Sequence, residues 1–316
     1  MIGKWTQLTW IILLAALLPA GLAAKNIYKF QDENGIWHFT DRAPDEEVEF
    51  STVYMETEPE PRIRMRQEGN KESPVYVLFN DFWGPVEVEL TLKKSVNVLS
   101  EPPLPARFVI PAQTERTLVG IGALDQMQSF SYSLGMSSVP GQPISKPIEG
   151  LVILPPFSAS ESYPISQGFE GTKTHNTPDS KYAIDIVMPV GTAVHSVRNG
   201  TVMDVEEDFN RGGRNYEKYA HKANHVRILH DDGTMAIYAH LDLASVSVRP
   251  GAKIRAGQKI ARSGNTGFSS GPHLHFAMQQ NSGMQIISLP FRFRTPKGTT
   301  IVPQAQSFVK GVPAGR

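Results

Sequence analysis

The chain has no cysteine among its 316 residues. No disulfide can therefore stabilise the fold, and no lipid anchor can be attached through an N-terminal cysteine. Stability has to come from hydrophobic cores, which a chain of this length can build in two or three domains. The 26 glycines and 24 prolines indicate many turns between short, mostly β, elements.

Long apolar runs are also scarce, with one exception at the N-terminus. Residues 1–24 combine Lys4 with an apolar run over residues 8–18 and end in small residues, which is typical of a secretory signal peptide. The run is shorter than the ~20 residues of a transmembrane helix. We expect cleavage after Ala23 or Ala24 and an exported protein without an integral membrane span; a retained anchor is the alternative.

Neither sign of charge is in excess. Lys and Arg number 31 together, as do Asp and Glu, and removal of the signal segment leaves 30 basic and 31 acidic residues. This balance gives no electrostatic argument for binding nucleic acid or an anionic membrane surface.

Turn residues and composition divide the rest of the chain into five segments. Aromatic runs on either side of Asn34-Gly35 predict a β-hairpin module, which resembles a module of unknown function at the start of many exported proteobacterial proteins. A Glu- and Pro-containing linker follows, and then short alternating runs that predict a small β-sandwich, with an immunoglobulin-like fold as one candidate. The predicted boundaries are 25–43 for the hairpin module, 44–74 for the linker, 75–147 for the sandwich, 151–293 for a third domain and 294–316 for a C-terminal tail.

The third domain holds eight of the nine histidines, and its most informative segment is residues 271–276, Gly-Pro-His-Leu-His-Phe. Side chains alternate across a strand, so His273 and His275 share one face while Leu274 points to the other. Imidazole is the commonest zinc ligand in proteins, so this pair indicates a metal site.

Two other segments add groups of the same kind. Asp185 stands between Ile184 and Ile186, so its carboxylate faces away from two apolar side chains. A hairpin turn at Asp232-Gly233 would return His240 beside the preceding strand.

The ordered set of motifs, from Gln167-Gly168-Phe169 to residues 271–276, closely resembles the lysostaphin-type (LytM-like) zinc metallopeptidases, which are endopeptidases of bacterial cell walls. The resemblance covers about residues 160–293. It implies a mostly β protein whose C-terminal antiparallel domain is of the duplicated hybrid motif type. It further implies one zinc ion per chain with His175, Asp185 and His275 as ligands, and His240 and His273 as catalytic histidines that do not bind the metal.

The chemistry of these residues agrees with that implication. Two imidazoles and one carboxylate leave the fourth tetrahedral position for water, as in catalytic zinc sites. Zinc lowers the pKa of such a water towards ~7. His240 and His273 would then serve as acid, base or oxyanion-stabilising groups, and the sequence does not assign the individual roles.

One departure from the family pattern concerns His175. Nine residues separate it from Asp185, where many family members have three, so His175 is the least secure of the ligands. His221 and His225 are a competing ligand pair, since their spacing suits one face of a helix, but Gly212-Gly213 and Asn224 favour a loop there. His195 and His230 are expected to be surface residues.

By resemblance, the predicted function is zinc-dependent hydrolysis of peptide stems or crosslinks of peptidoglycan, in the periplasm of a Gram-negative bacterium or secreted. The alternatives are a non-enzymatic activator of cell-wall amidases and a zinc protease that acts on proteins. Because the sandwich and the tail flank the catalytic domain, either could restrict access to its groove.

Overall fold

A computed structural model describes residues 26–31, 37–40, 42, 49–54 and 61–314. The chain divides into two compact units, Met1–Thr57 and Glu58–Arg316. The predicted signal peptide lies outside the described residues. Among the described residues, no helix has the length and apolar character needed to cross a membrane.

The first unit contains a three-stranded antiparallel sheet in the order β2-β1-β3. Its strands are β1 (Asn26–Gln31), β2 (Trp37–Thr40) and β3 (Phe50–Tyr54). The two aromatic runs pair as a hairpin, with Phe30 opposite His38; the predicted Asn34-Gly35 turn lies outside the described residues.

The second unit begins with a sandwich of two antiparallel sheets, ordered β4-β5-β9-β7 and β10-β6-β8. Its strands are β4 (Ile63–Gly69), β5 (Pro74–Asn80), β6 (Val86–Val96), β7 (Val98–Glu101), β8 (Ala106–Ile110), β9 (Thr114–Ala123) and β10 (Ser131–Pro140). The buried core between the sheets consists of Leu78, Val86, Val88, Leu90, Ile110, Leu118, Val119 and Ile121. An immunoglobulin-like fold for this sandwich stays a prediction.

The stretch predicted as a linker, residues 44–74, holds two strands, β3 and β4. In β4, Ile63 and Met65 pack against the sandwich core while Arg64 and Arg66 face outwards. This alternation is a β-strand pattern, which the charged and Pro-containing composition of the segment obscures.

The C-terminal part is also built almost entirely from strands. They are β11 (Leu151–Ile153), β12 (Ser162–Gln167), β13 (Ile184–Ile186), β14 (Ala193–His195), β15 (Gly200–Glu206), β16 (Gly212–Gly213), β17 (His225–Leu229), β18 (Met235–Ala239), β19 (Lys253–Ile254), β20 (Lys259–Arg262), β21 (Gly267–Phe268), β22 (Leu274–Asn281), β23 (Ile286–Leu289), β24 (Phe291–Arg294), β25 (Thr300–Ile301) and β26 (Phe308–Lys310). One short helix, α1 (Tyr216–Tyr219), lies between β16 and β17. The mostly β prediction is confirmed.

The central sheet of this part is antiparallel and runs in the order β19-β15-β17-β18-β22-β13-β12-β26, with β23 also on β22. The register places five residues, one from each of five strands, in a single row. Each lies directly opposite the next, in the order Gln167, Asp185, His275, Ala239 and His225. Direct partners project to the same face of a sheet. This face carries the candidate site.

The opposite face of the same sheet forms the hydrophobic core. Ile184, Ile186, Tyr238, Leu274 and Phe276 alternate with the site residues and are all fully buried. The smaller sheets β11-β24-β25 and β14-β20 contribute the other side of this core. Burial of one complete face specifies the register, and the register in turn determines which residues face the site.

The sandwich is joined to the C-terminal part at the end of β22 that is remote from His275. Glu87 accepts hydrogen bonds from Asn281 Nδ2 at 2.9 Å and from the Met284 backbone at 2.7 Å. Since Asn281 lies six residues beyond His275 in β22, this contact is roughly 20 Å from His275.

A second junction lies at the edge of the sheet. Arg62 Nε pairs with Asp204 Oδ1 at 3.1 Å, three strands away from β22. Among the described residues, no hydrogen bond or ion pair from the sandwich reaches the histidines or the aspartate of the candidate site. Restriction of access by the sandwich stays a prediction.

Candidate metal centre

The predicted ligands are carried by two neighbouring strands and one loop. Asp185 is the middle residue of β13 and lies opposite His275, near the start of β22. His175 lies in the loop between β12 and β13. Its Nε2 is 3.2 Å from Asp185 Oδ1, and His275 Nδ1 is 2.9 Å from the same oxygen.

The donor set of these residues fits a zinc ion. One donor atom from each lies within 4.8 Å of the others. Tetrahedral zinc with bonds of about 2.0–2.2 Å has ligand atoms about 3.3 Å apart, so small adjustments suffice. Asp185 and His275 remain partly accessible, at 13% and 22% of their side chains, so the cluster is open on one side.

Electrostatics favour the ionised carboxylate in this cluster. Burial alone would raise the pKa of Asp185, but hydrogen bonds to His175 and His275 outweigh burial and hold this pKa well below its usual range. For His175, burial lowers the pKa, and the hydrogen bond and charge of Asp185 raise it above its ordinary value. A metal cation requires its carboxylate ligand to be ionised, and these surroundings keep Asp185 in that form.

The tautomer of His175 follows from its surroundings. Its ring is buried, and Nδ1 lies 3.0 Å from the carbonyl oxygen of Gly168. A carbonyl can only accept, so Nδ1 donates this hydrogen bond. The hydrogen bond to the ionised Asp185 therefore uses the Nε2–H of the charged ring, whereas in the neutral ring Nε2 carries the lone pair that a metal ligand needs.

His240 and His273 lie beside the cluster and are anchored in the same way. His240 Nδ1 donates to the Thr266 carbonyl at 2.6 Å, and His273 Nδ1 donates to the Gly271 carbonyl at 2.8 Å. His273 Nε2 lies 3.7 Å from Asp185 Oδ1. Both rings therefore present Nε2 for chemistry.

Burial and the neighbouring imidazoles of His273 and His275 lower the pKa of His240 to about 3. His240 is thus neutral near pH 7. Its backbone has a φ of 61°, which is unusual for a residue other than glycine and costs conformational energy. In this strained conformation the ring of His240 makes its hydrogen bond to the Thr266 carbonyl.

The longer loop between His175 and Asp185 is an ordered, internally bonded structure. Its Thr177 and Ser180 hydroxyls are 2.6 Å apart. Ser288 of β23 donates its backbone N–H to the Pro178 carbonyl at 2.7 Å and accepts the Tyr182 N–H on its hydroxyl at 2.9 Å. The longer loop is hydrogen-bonded to β23, and His175 still lies beside Asp185.

The competing pair, His221 and His225, does not form a metal cluster. His225 Nε2 instead bonds Asp204 at 3.2 Å, and His221 follows the end of α1. Within the part of the chain that the structure describes, His175, Asp185 and His275 are the one group of three such side chains close enough to share an ion.

Two other histidines were predicted at the surface. That prediction is wrong for His230, which is only 2% exposed and donates from Nδ1 to the Asn199 carbonyl at 2.7 Å. His195 is half-buried, and its Nδ1 has no hydrogen-bond partner among the described residues.

Several groups that shape the centre were not predicted. Gln167 donates from Nε2 to Asp185 Oδ2 at 3.2 Å and to Thr174 Oγ1 at 2.6 Å. Its position at the end of a strand, opposite Asp185, is a pattern that could have indicated this role. The sequence does not indicate that the carbonyls of Gly168, Thr266 and Gly271 orient histidines, because every residue has a backbone carbonyl.

A row of polar groups on an antiparallel sheet, with a carboxylate and two imidazoles at metal-binding distance and two further imidazoles alongside, is the type of site found in metallopeptidases. Residues 179–286 match the profile of Peptidase family M23. This match confirms the resemblance of the C-terminal domain to the LytM-like metallopeptidases that was drawn from the sequence. The match includes Asp185, His240, His273 and His275 and begins four residues after His175.

Individual relatives agree with the family. Glycyl-glycine endopeptidase ALE-1 of Staphylococcus capitis is 33% identical over 101 residues, which are 32% of this chain and 25% of the relative. Peptidoglycan DD-endopeptidase ShyA of Vibrio cholerae is 32% identical over 127 residues, 39% of this chain and 26% of the relative. The chain thus spans about a quarter of the length of each of these curated relatives.

Among solved structures, the antimicrobial peptidase lysostaphin from Staphylococcus simulans aligns with 32% identity and a TM-score of 0.28, over 38% of this chain and 44% of that chain. Residues 14–69 separately match a domain of unknown function, DUF4124. That match extends beyond the predicted hairpin module and includes β3 and β4.

Proposed function

We propose that this protein is a zinc-dependent endopeptidase that hydrolyses peptide stems or crosslinks of peptidoglycan. The observation that carries the proposal is the convergence of one donor atom each from His175, Asp185 and His275 within 4.8 Å, beside two anchored imidazoles, in a domain that matches family M23. Relatives named as endopeptidases of peptidoglycan or of glycyl-glycine bonds support this class of substrate.

In this proposal His175, Asp185 and His275 hold the zinc ion. When bound, zinc supplies Lewis acidity, which polarises a carbonyl and makes water acidic enough to ionise near neutral pH. Asp185 is already ionised in the metal-free protein, where its hydrogen bonds to His175 and His275 stabilise the charged form, so it can accept the cation without losing a proton.

His240 and His273 perform the proton transfers. Each is held through Nδ1 by a carbonyl, so Nε2 is the atom that accepts a proton from the attacking water or returns one to the leaving amine. A positioned group of this kind is worth roughly 10²- to 10⁴-fold in rate. The low pKa of His240 provides a neutral imidazole at physiological pH.

The floor of the groove suits an extended peptide. Across the strands from His275, the next residue of the row is Ala239. Its small side chain leaves space above the sheet between His275 and His225. A chain that lies along this row would pass the cluster with its backbone close to the sheet.

The proposed location is the bacterial periplasm. A segment at residues 1–24 with the features of a signal peptide and relatives named for cell-wall cleavage support export. The wall-linked substrate lies on that side of the inner membrane.

The decisive experiment is hydrolysis of isolated sacculi by the zinc-loaded protein, with the released fragments identified by mass spectrometry. The wild type should release muropeptides cut within the stem peptides or crosslinks, and His275→Ala should release none. No release by the wild type across a range of pH, or equal release by the variant, would overturn the proposal. Stimulation of an added amidase by both proteins would instead favour a regulatory function.

A further inference from the structure

Two residues at the end of β12 hold the side chains of the first two predicted ligands. Gln167 donates to Asp185 Oδ2, the oxygen that faces away from the histidines, and its amide also donates to Thr174. The carbonyl of the next residue, Gly168, receives the Nδ1–H of His175. The position of β12 therefore determines how both ligands are oriented.

The C-terminal tail forms the outer border of β12. Its strand β26 pairs with β12 so that Tyr163 lies opposite Val309. The pairing continues towards the metal centre, because Ile165 donates to Ser307 O at 2.9 Å and accepts from the Gln306 N–H at 2.8 Å. On its inner edge, β12 pairs with β13, the strand of Asp185.

The tail is packed closely against this strand. Val309 is 1% exposed and belongs to the main hydrophobic core. At residue 168 a Cβ atom would lie 2.8 Å from the Ala305 backbone nitrogen, so only glycine permits the observed approach. The tail thus touches the very residue whose carbonyl orients His175.

We propose that residues 304–311 of the C-terminal tail are a structural part of the metal centre. They position Gln167 and Gly168, and through these two residues they orient the ligands Asp185 and His175. The inference relies on these last two residues as ligands, as in the proposed function, and restriction of access by the tail is the alternative that removal of the tail distinguishes. Groups that orient metal ligands typically change metal affinity by about 10- to 100-fold when they are removed.

The test measures zinc affinity of the full chain by competition with a chromophoric chelator, without any peptidoglycan. Gln167→Met keeps the length of the side chain but removes the donor, and Gly168→Ala forces β12 and the tail apart. Each should weaken zinc binding about 10- to 100-fold. The matched controls, Gln142→Met at an exposed position outside the tail and Gly122→Ala in the sandwich, where the nearest atom is 4.0 Å away, should leave it unchanged.

A second readout separates positioning from loss of folding. In the zinc-free protein, the Nδ1–H of His175 that bonds the Gly168 carbonyl should be a slowly exchanging NMR signal in the wild type and should be lost or exchange faster in Gly168→Ala, while circular dichroism reports whether the fold is retained. Wild-type zinc affinity in both Gln167→Met and Gly168→Ala would overturn the inference.

Removal of residues 304–316 distinguishes the two roles of the tail directly. Support of the metal centre requires weaker zinc binding, whereas an inhibitory tail requires unchanged zinc binding and faster hydrolysis of sacculi. The latter result would overturn the inference. A wild-type protein that binds zinc but cleaves no sacculi would contradict the proposed function and leave this inference standing.

Discussion

The imidazole rings of His240 and His273 lie with their centroids 4.6 Å apart, at an interplanar angle of 51°. They come from different strand ends, and each is fixed by a hydrogen bond from Nδ1 to a backbone carbonyl. Neither contributes a donor atom to the three-residue cluster. The site thus separates residues that can hold a cation from residues that can transfer protons.

Substitution of His240 or His273 should therefore reduce the rate of hydrolysis without reducing the zinc content. His240→Ala and His273→Ala should each retain zinc and lose roughly 10²- to 10⁴-fold in the rate of sacculus hydrolysis, the usual contribution of a positioned acid or base. Zinc content by mass spectrometry and muropeptide release are measured on the same preparation. Loss of zinc in either variant would contradict the assignment.

Asp185 should be essential for metal binding. Asp185→Asn removes the negative charge that both histidines face, so its zinc content should fall well below the about one ion per chain expected of the wild type. Asp179→Asn, a change of the same kind in the loop, serves as the control. If Asp185→Asn retained its zinc in full, the ligands would have to be sought at His221 and His225.

The convergence of most of these side chains could be predicted from the sequence, because the relevant information is local. Alternation places His273 and His275 on one face, and apolar neighbours turn Asp185 towards them. His221 and His225 share no helix, as Gly212-Gly213 and Asn224 indicate, since α1 ends at Tyr219 and His225 opens a strand.

What could not be predicted depends on contacts between distant segments. The bond between Glu87 and Asn281 joins residues 194 positions apart, and β26 adds to β12 across more than 140 residues. Neither pairing is encoded in a local pattern. The backbone carbonyls that orient the histidines are equally invisible, because any residue can supply one.

The junction between the sandwich and the C-terminal part should depend on Glu87. Glu87 is 4% exposed, and its truncation in Glu87→Ala would leave one hydrogen of the buried Asn281 amide and the Met284 N–H without their acceptor, while the second amide hydrogen keeps the Gly141 carbonyl. An unsatisfied buried donor costs about 1–3 kcal/mol, so the free energy of unfolding in urea should fall by at least that amount. Glu89→Ala, which removes only a surface pair with Arg107, should cost less than about 1 kcal/mol.

Acid should destabilise the fold through His230. Burial lowers the pKa of His230 to about 4, whereas the same group in the unfolded chain titrates near ~6.5. Between these values the unfolded chain binds a proton that the folded chain does not, so stability is complete above pH ~6.5 and declines as the pH falls towards 4. The decline amounts to about 3 kcal/mol.

His230→Asn provides the measurement, because an amide can replace the Nδ1 donor to Asn199 but does not titrate in this range. Urea unfolding of both proteins at several values between pH 7 and 4 isolates the contribution of this one histidine, since every other group is shared. The stability difference between wild type and variant should shift in favour of the variant as the pH falls, by up to about 3 kcal/mol. Parallel curves would show that protonation of His230 is not coupled to unfolding.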